Sequence, residues 1–177
     1  MTLTIRLDDL LGEMVTPRSR HLVTRPTGAA VRGRIQRAIA AADAATTRLD
    51  FGDVEGIDFS CADEIVAKLL LETGAGQFVL LANVEESQAE AIDHVLARQN
   101  LAVVAVRREG TPCVLGATNA DLEAAFQAVL AFGPGDAVRL AERLVWSLER
   151  AADALQGLAL RRLVVAAGGT FAPLPLA

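Results

Sequence analysis

The stretch LDFGDVEGIDFSCADEIVAKLLL, residues 49–71, is the most informative part of the sequence for predicting the fold. Its first residues are typical of the end of a strand, and a short acidic loop follows them. The second half has apolar residues at the spacing of one helix face: Ile65, Val66, Leu69 and Leu70. Ser60 precedes this helix as the expected N-cap, and Asp63 and Glu64 lie in its first turn, where the helix dipole favours negative charge. The segment therefore predicts a strand-to-helix corner.

The flanking segments alternate between strand and helix patterns. Strands are predicted at residues 2–7, 47–51, 77–81 and 101–106, and helices at residues 29–42, 62–71 and 86–97. Helices of this length between strands imply crossover connections, so we expect an α/β domain with a mostly parallel or mixed sheet. Its boundary is placed in TPCVLGATN, residues 111–119, which gives a first domain over residues 1–116.

The pattern changes after Gly116 to short helices followed by a hairpin. Helices are predicted at residues 120–131, at residues 136–144 and from Ser147 to about residue 160, with Asn119 or Asp121 available to cap the first and Ser147 the third. Strands at residues 163–165 and 170–173 flank Gly168-Gly169, which predicts a tight turn. The expected second domain is a small α+β unit over residues 117–177.

The corner resembles that of STAS domains, which include the bacterial anti-sigma factor antagonists. Those proteins carry Asp-Ser-Ser-Gly at this point, and a partner kinase phosphorylates the second serine. Here the tetrapeptide is Asp58-Phe59-Ser60-Cys61, so Ser60 takes the phosphorylatable position, while Phe59 and Cys61 depart from the motif.

A closer similarity is to a STAS-like family of unassigned function with the pattern DF-x-x-V-x-x-I-x-x-S-x-A-D-E, which begins here at Asp50. That family also has an upstream Thr-Arg-x-x-Gly-x-x-Val/Leu-Arg segment, which residues 24–32 reproduce. The resemblance covers residues 3–107. It implies an STAS-like mixed sheet with helices for the first domain.

The resemblance also implies a regulatory protein that docks a signalling partner, such as a histidine-kinase-like ATPase. The docking corner would comprise Asp58, Phe59, Asp63 and Glu64, and phosphorylation of Ser60 would be the switch. A phosphate at a helix N-terminus adds about two negative charges beside unpaired backbone N–H groups. The alternative is that Ser60 serves only as the N-cap.

An arginine cluster lies upstream of the corner, with members Arg18, Arg20, Arg25, Arg32, Arg34 and Arg37. The turn that opens the helix there could bind an anion through Thr24, Arg25, Gly28 and Arg32. The alternative is that the arginines pair with Asp50, Asp53 or Asp58 and cover a solvated helix face. This alternative is favoured because no glycine-rich phosphate loop accompanies the cluster.

The second domain resembles winged-helix repressor domains in the order of its elements. The candidate nucleic-acid contacts are Arg150, Gln156, Arg161 and Arg162. Residues 118–177 nevertheless carry five basic and six acidic side chains, whereas DNA-binding domains have a basic footprint. We therefore expect this domain to serve protein contact, including homodimer formation. The alternative is that the chain is a DNA-binding transcription regulator with a STAS-like sensory domain.

Composition excludes several other classes. Cys61 and Cys113 lack a CxxC spacing, and His21 and His94 are isolated, so neither a metal site nor a catalytic nucleophile–base pair is predicted and no cofactor is expected. The formal net charge of −5 argues against general coating of nucleic acid. The start of the chain does not resemble a signal peptide and no transmembrane segment is evident, so we expect a cytoplasmic protein that does not bind a membrane. Because no nucleophile–base pair is predicted, we also expect that it is not an enzyme.

Overall fold

A computed structural model describes residues 1–14 and 20–177, and these residues form two compact units, Met1–Ala117 and Thr118–Ala177. The first unit has a five-stranded sheet with helices, and the second has helices and a hairpin. In the described ranges, no helix combines the length and the apolar composition needed to cross a membrane. The strands and helices of the two units make the chain a mixed α/β protein, the class that the sequence predicts.

The strands of the first unit are short and regularly interrupted by helices. They are β1 (Thr2–Arg6), β2 (His21–Leu22), β3 (Thr46–Asp50), β4 (Gly56–Ile57), β5 (Phe78–Val84), β6 (Ala102–Arg107) and β7 (Pro112–Gly116). The helices are α1 (Leu7–Met14), α2 (Arg25–Ala42), α3 (residues 59–72) and α4 (Glu86–Arg98). Helix α3 contains a π-helical turn over Asp63–Ala67, between α-helical turns at Phe59–Ala62 and Lys68–Glu72.

The main sheet has the strand order β1-β3-β5-β6-β7. Strands β1, β3, β5 and β6 are parallel, and β7 runs antiparallel to β6 at one edge. The helices between the parallel strands provide the crossovers that parallel pairing requires. Strand and helix residues share one buried apolar cluster, which includes Leu49, Leu81, Val103, Ile35, Ile65 and Ile92.

The first unit differs from the sequence prediction in several places. Helix α2 begins at Arg25 and α3 at Phe59, before the predicted starts at residues 29 and 62, and β2 and β4 were not predicted. The strand predicted at residues 2–7 ends at Arg6, and Leu7 begins a helix that was not predicted. Its apolar residues do recur at helical spacing, at Leu7, Leu10, Leu11 and Met14. Residues 111–119, predicted as a boundary, contain the division between the units. They also contain β7, which forms a strand because β6 supplies its hydrogen-bonding partners.

The second unit contains α5 (Ala120–Phe132), α6 (Ala137–Leu144) and α7 (Leu148–Leu160), followed by β8 (Val164–Ala167) and β9 (Thr170–Pro173). Asn119, Asp136 and Ser147 cap the three helices through side-chain oxygens, which confirms the predicted caps at Asn119 and Ser147. The predicted hairpin is also confirmed, with Gly168 and Gly169 both at positive φ in its turn. A β-bridge joins Gly135, between α5 and α6, to Phe171 in β9.

Candidate docking corner

Two helix N-termini are held side by side in the first unit. Strand β2 leads to α2 and strand β4 leads to α3, and these two strands pair in parallel through His21–Gly56 and Leu22–Ile57. The Asp58 N–H then donates to the Leu22 carbonyl oxygen at 2.9 Å. Each of the two parallel strands leads into its own helix in the same direction. Thr24 and Asp58, the residues that precede these helices, therefore come into contact.

Asp58 is the N-cap of α3. Its Oδ1 accepts hydrogen bonds from the Cys61 N–H at 2.8 Å and from the Ser60 hydroxyl at 2.8 Å, while its Oδ2 accepts one from the Thr24 N–H at 3.0 Å. Burial acts to raise the pKa of Asp58, but these donors outweigh it and lower the pKa. The prediction that Ser60 is the N-cap is therefore wrong: Ser60 is the second residue of the helix, because the Asp58 carboxylate already reaches the third residue's N–H.

An exposed apolar side chain, Phe59, precedes Ser60 in the first turn of α3. Phe59 is 58% exposed, and its ring centroid lies 5.0 Å from that of His94 in α4. Ser60 itself is half-buried. The corner thus presents an aromatic surface, a hydroxyl group and a capping carboxylate, a combination suited to contact with another protein. His94 could not be assigned to the corner from sequence, because only the fold brings α4 beside Phe59.

Glu64 lies behind the corner rather than on it. Its side chain is only 3% exposed, and three cations surround it: Lys68 at 2.5 Å, Arg25 at 2.7 Å and Arg32 at 3.3 Å. Burial acts to raise the pKa of Glu64, but the hydrogen bonds from Lys68 and Arg25 outweigh it and lower the pKa. This burial places the residue in the contact between α2 and α3, away from the exposed surface of the corner, where the sequence predicts it.

Asp63 links the same network to α4. Arg25 donates to its Oδ2 at 2.8 Å, and the Gln99 side chain donates to its Oδ1 at 2.8 Å. Burial acts to raise the pKa of Asp63, but the hydrogen bonds from Arg25 and Gln99 outweigh it, so the net direction is downward. Asp63 is thus an ionised, partly exposed carboxylate at the side of the corner.

The four residues predicted to bind an anion lie along the start of α2, where it packs against α3. Arg25 and Arg32 both contact Glu64, and Arg32 also pairs with Glu72 at 2.5 Å. A Cβ atom at Gly28 would lie 2.9 Å from the Glu64 Cβ and 3.1 Å from the Cys61 Cα, so the absence of a side chain there permits the close approach of the helices. These contacts favour a packing role over anion binding.

Four members of the arginine cluster, Arg20, Arg25, Arg32 and Arg34, pair with carboxylates other than those predicted. Arg34 pairs with Glu13 and Arg20 lies 3.8 Å from Glu55, while Arg25 and Arg32 contact the carboxylates of α3 described above. Of the predicted partners, Asp53 pairs with Arg6 at 2.6 Å, Asp50 accepts from Asn83 at 2.7 Å, and Asp58 caps α3. Arg18 lies outside the described residues. The predicted partners were wrong because the actual ones lie on elements that only the fold brings close, such as Glu13 on α1 and Glu64 on α3.

Thr24 adds backbone strain to the corner. Its φ of 70° and ψ of 140° are rare for a residue with a side chain, and rarer for a β-branched one. Its N–H bonds Asp58, and its carbonyl oxygen accepts from the Gly28 N–H at 3.1 Å and from the Cys61 thiol at 3.1 Å. Burial raises the pKa of that thiol to about 12, so Cys61 stays protonated and serves packing.

In the second unit, Arg150, one of the predicted nucleic-acid contacts, is engaged within the unit itself. The Arg150 guanidinium donates to both carboxylate oxygens of Asp121, at 2.6 and 3.0 Å, and its Cζ atom lies 4.1 Å from the Trp146 ring centroid. The hydrogen bond from Arg150 lowers the pKa of Asp121. Arg161 donates to the Gly157 carbonyl oxygen at 3.3 Å, and Arg162 follows it at a φ of 57°. Gln156 is exposed.

No cluster of three or more potential metal-ligating side chains occurs within residues 1–14 and 20–177. No protein-family model matches the chain, and no curated protein matches it. The assignment of function therefore depends on the geometry of the chain's own residues.

Proposed function

We propose that the chain is a regulatory adaptor whose first unit is an STAS-like domain that docks a signalling protein at the corner formed by Asp58, Phe59, Ser60 and Asp63. One observation carries the proposal: Phe59, the chain neighbour of Ser60 in the first turn of α3, is 58% exposed, and the Ser60 hydroxyl bonds the carboxylate that caps this helix. A partner that covers Phe59 would therefore also contact Ser60. No catalytic role is proposed for these residues.

Phosphorylation of Ser60 is the proposed switch. A phosphoserine carries about −1.5 to −2 charges at neutral pH, and at Ser60 it would lie next to the Asp58 carboxylate that now accepts the hydroxyl proton. The phosphorylated Ser60 oxygen could no longer donate a hydrogen bond to Asp58, and the phosphate and the Asp58 carboxylate would repel each other. The cap would be weakened and negative charge would be added to the docking surface next to Phe59, so the affinity for the partner would change.

The test uses the full chain with a panel of purified histidine-kinase-like ATPases, ATP and mass spectrometry of the peptide that contains Ser60. We expect a phosphate on Ser60, and we expect Ser60→Asp and Phe59→Ala each to weaken binding of the ATPase by about tenfold or more. Ser60→Ala is the matched control and should bind as the wild type does. If no ATPase modifies Ser60 and Ser60→Asp binds unchanged, the serine has only a structural role.

For the second unit we propose a winged-helix domain used for protein contact. The order of three helices and a hairpin, together with the Gly135–Phe171 bridge, supports this fold proposal. The exposed face of α7 supports the protein-contact role, because it carries Leu148, Ala152, Gln156 and Leu160 next to Glu149 and Asp153. A carboxylate-bearing face of this kind disfavours nucleic acid phosphates.

The same element order favours the alternative, a DNA-binding regulator with an STAS-like sensory domain, but the charge distribution does not. We expect no mobility shift with duplex DNA at about 50 mM salt, where phosphate contacts contribute most. Asp121→Asn, which releases Arg150 from its ion pair, is the matched variant. A sequence-dependent shift by the wild type would establish the alternative.

A further inference from the structure

The second unit has a groove between the end of α5 and one side of α6. Its apolar lining comes from three helices: Val129 and Phe132 on α5, Leu140 on α6 and Leu155 on α7. Three of these side chains are buried, whereas Phe132 is 50% exposed at the end of α5. Residues 133–136, which join α5 to α6, also line the groove. We refer to this depression as the α5–α6 groove.

Two arginines border the apolar lining of the groove. Arg139 and Arg143 are one helical turn apart on the same side of α6, and both are exposed. The Arg143 Cζ atom lies 4.1 Å from the Phe132 ring centroid, within the range of a cation–π contact. The Arg139 guanidinium makes a 3.5 Å contact with the Pro134 carbonyl oxygen. The exposed part of the groove therefore combines an aromatic ring with two positive charges.

Within the described part of the chain, neither of these guanidinium groups pairs with a carboxylate. Asp136 also lines the groove, but its Oδ1 accepts a hydrogen bond from the Arg139 backbone N–H at 2.9 Å as the cap of α6. Glu142 lines a different depression together with Val138, on the other side of α6. Like charges one turn apart repel each other. The arginine pair would therefore gain from an anion that another molecule supplies.

The size of the groove favours a protein segment as its occupant. The space that it encloses is far smaller than the roughly 300–1,000 Å³ of a small-molecule site. A protein segment can instead place a single apolar side chain against Phe132 and keep its backbone outside. Aromatic and arginine side chains beside a buried apolar lining are also the residues that contribute most to protein interfaces.

The charge of the groove favours an acidic segment. Guanidinium groups bind carboxylates through paired, charge-assisted hydrogen bonds, and both Arg139 and Arg143 are available for such a contact. Nucleic acid phosphates are the other common anions, but residues 118–177 carry five basic and six acidic side chains. A nucleic acid surface needs a wider basic footprint than two arginines provide. An acidic protein segment therefore complements the groove better than a nucleic acid does.

We propose that the α5–α6 groove binds an acidic segment of a partner protein, with an apolar side chain of that segment against Phe132 and its carboxylates on Arg139 and Arg143. The proposal deepens the protein-contact role proposed for the second unit and rests on it. It gives the chain a second docking surface, in a different unit from the Ser60 corner. An adaptor that holds two proteins needs two such surfaces.

The test selects a phage-displayed library of random linear peptides on the immobilised full chain. We expect the selected peptides to combine Asp or Glu with Leu, Ile or Phe, and to bind with a Kd below about 0.1 mM by fluorescence polarisation. Arg139→Glu and Arg143→Glu should each weaken binding by at least about tenfold, because a repelling charge replaces an attracting one. Phe132→Ala should weaken it by about fivefold, because the apolar contact is lost.

Arg98→Glu is the matched control, since it changes the net charge equally but lies exposed on α4 in the first unit; it should bind the selected peptides as the wild type does. Circular dichroism checks that each variant is folded. The proposal is overturned if no peptide is selected, if the selected peptides lack carboxylates, or if the three groove variants bind them unchanged.

One further variant separates the groove from the protein-contact role on which it rests. Leu160 is 73% exposed on α7, outside the groove. Peptides whose binding Leu160→Ser weakens, while the groove variants do not, would overturn the groove assignment but support a protein-contact role for the second unit. None of these results bears on the Ser60 phosphorylation test, because that test is read in the first unit.

Discussion

Replacing Glu64 by glutamine is expected to lower the free energy of unfolding by about 3 kcal/mol, since removing one partner of a buried ion pair typically costs about 3–5 kcal/mol. The lower end applies because Arg25 and Lys68 retain contact with water, with side chains 54% and 37% exposed. Glutamine keeps the shape of the side chain but leaves the three cations without a shared anion. Urea denaturation at neutral pH measures the difference.

Glu72→Gln is the matched control for this variant. Glu72 also pairs with Arg32, at 2.5 Å, but its side chain is 44% exposed. Exposed ion pairs contribute about 0–1 kcal/mol, so the control should lose less than about 1 kcal/mol. Equal losses in the two variants would show that burial of Glu64 does not determine its contribution.

The Glu64 contribution should also depend on pH in a defined direction. The folded protein lowers the pKa of Glu64 below its unfolded value, so the unfolded chain takes up a proton first as the solution is acidified. The stabilisation is therefore fully present above the ordinary glutamate pKa of about 4.3 and is lost as the pH falls below it. The stability difference between wild type and Glu64→Gln should accordingly shrink between neutral pH and acid. A difference that stays constant down to about pH 3, well below that ordinary value, would contradict an ionised Glu64.

The sequence predicted those features that depend on neighbouring residues. Apolar spacing at Ile65 and Leu69 located α3, and the side chains of Asn119 and Ser147 located the starts of α5 and α7, because capping acts over three residues. The glycine pair that predicts the β8–β9 turn likewise acts within the hairpin itself. In each case the chemistry that forms the element lies within one turn of the helix or hairpin.

The features that the sequence could not provide join distant parts of the chain. Asp58 and Thr24 are 34 residues apart, and Arg150 and Asp121 are 29 apart, so no local pattern pairs them. Asp58 caps α3 through a local contact with the Cys61 N–H, but the second contact of its carboxylate, with the Thr24 N–H, could not be predicted from the sequence. Likewise, the buried position of Glu64 depends on the close approach of α2 at Gly28, which only the packed helices reveal.

Asp58→Ala is expected to cost about 2–3 kcal/mol, because it removes an N-cap and leaves two backbone donors without their acceptor. Those donors are the N–H groups of Cys61 and Thr24. The contact with Thr24 matters beyond one hydrogen bond, since it helps to hold Thr24 at its strained φ of 70°. Thermal or urea unfolding measures the loss.

A graded series separates the cap from the Ser60 hydroxyl. Asp58→Asn keeps one acceptor oxygen and a good N-cap residue, so it should lose only about 1 kcal/mol, and Ser60→Ala, which removes a single donor to the carboxylate, about 0.5 kcal/mol. If Ser60→Ala were as destabilising as Asp58→Ala, the hydroxyl would be a structural element of α3, and its phosphorylation would unfold the corner rather than alter a docking surface. The loss of stability should therefore be largest for Asp58→Ala, smaller for Asp58→Asn and smallest for Ser60→Ala, because only in that order is the Ser60 hydroxyl dispensable for α3 and available to act as a switch.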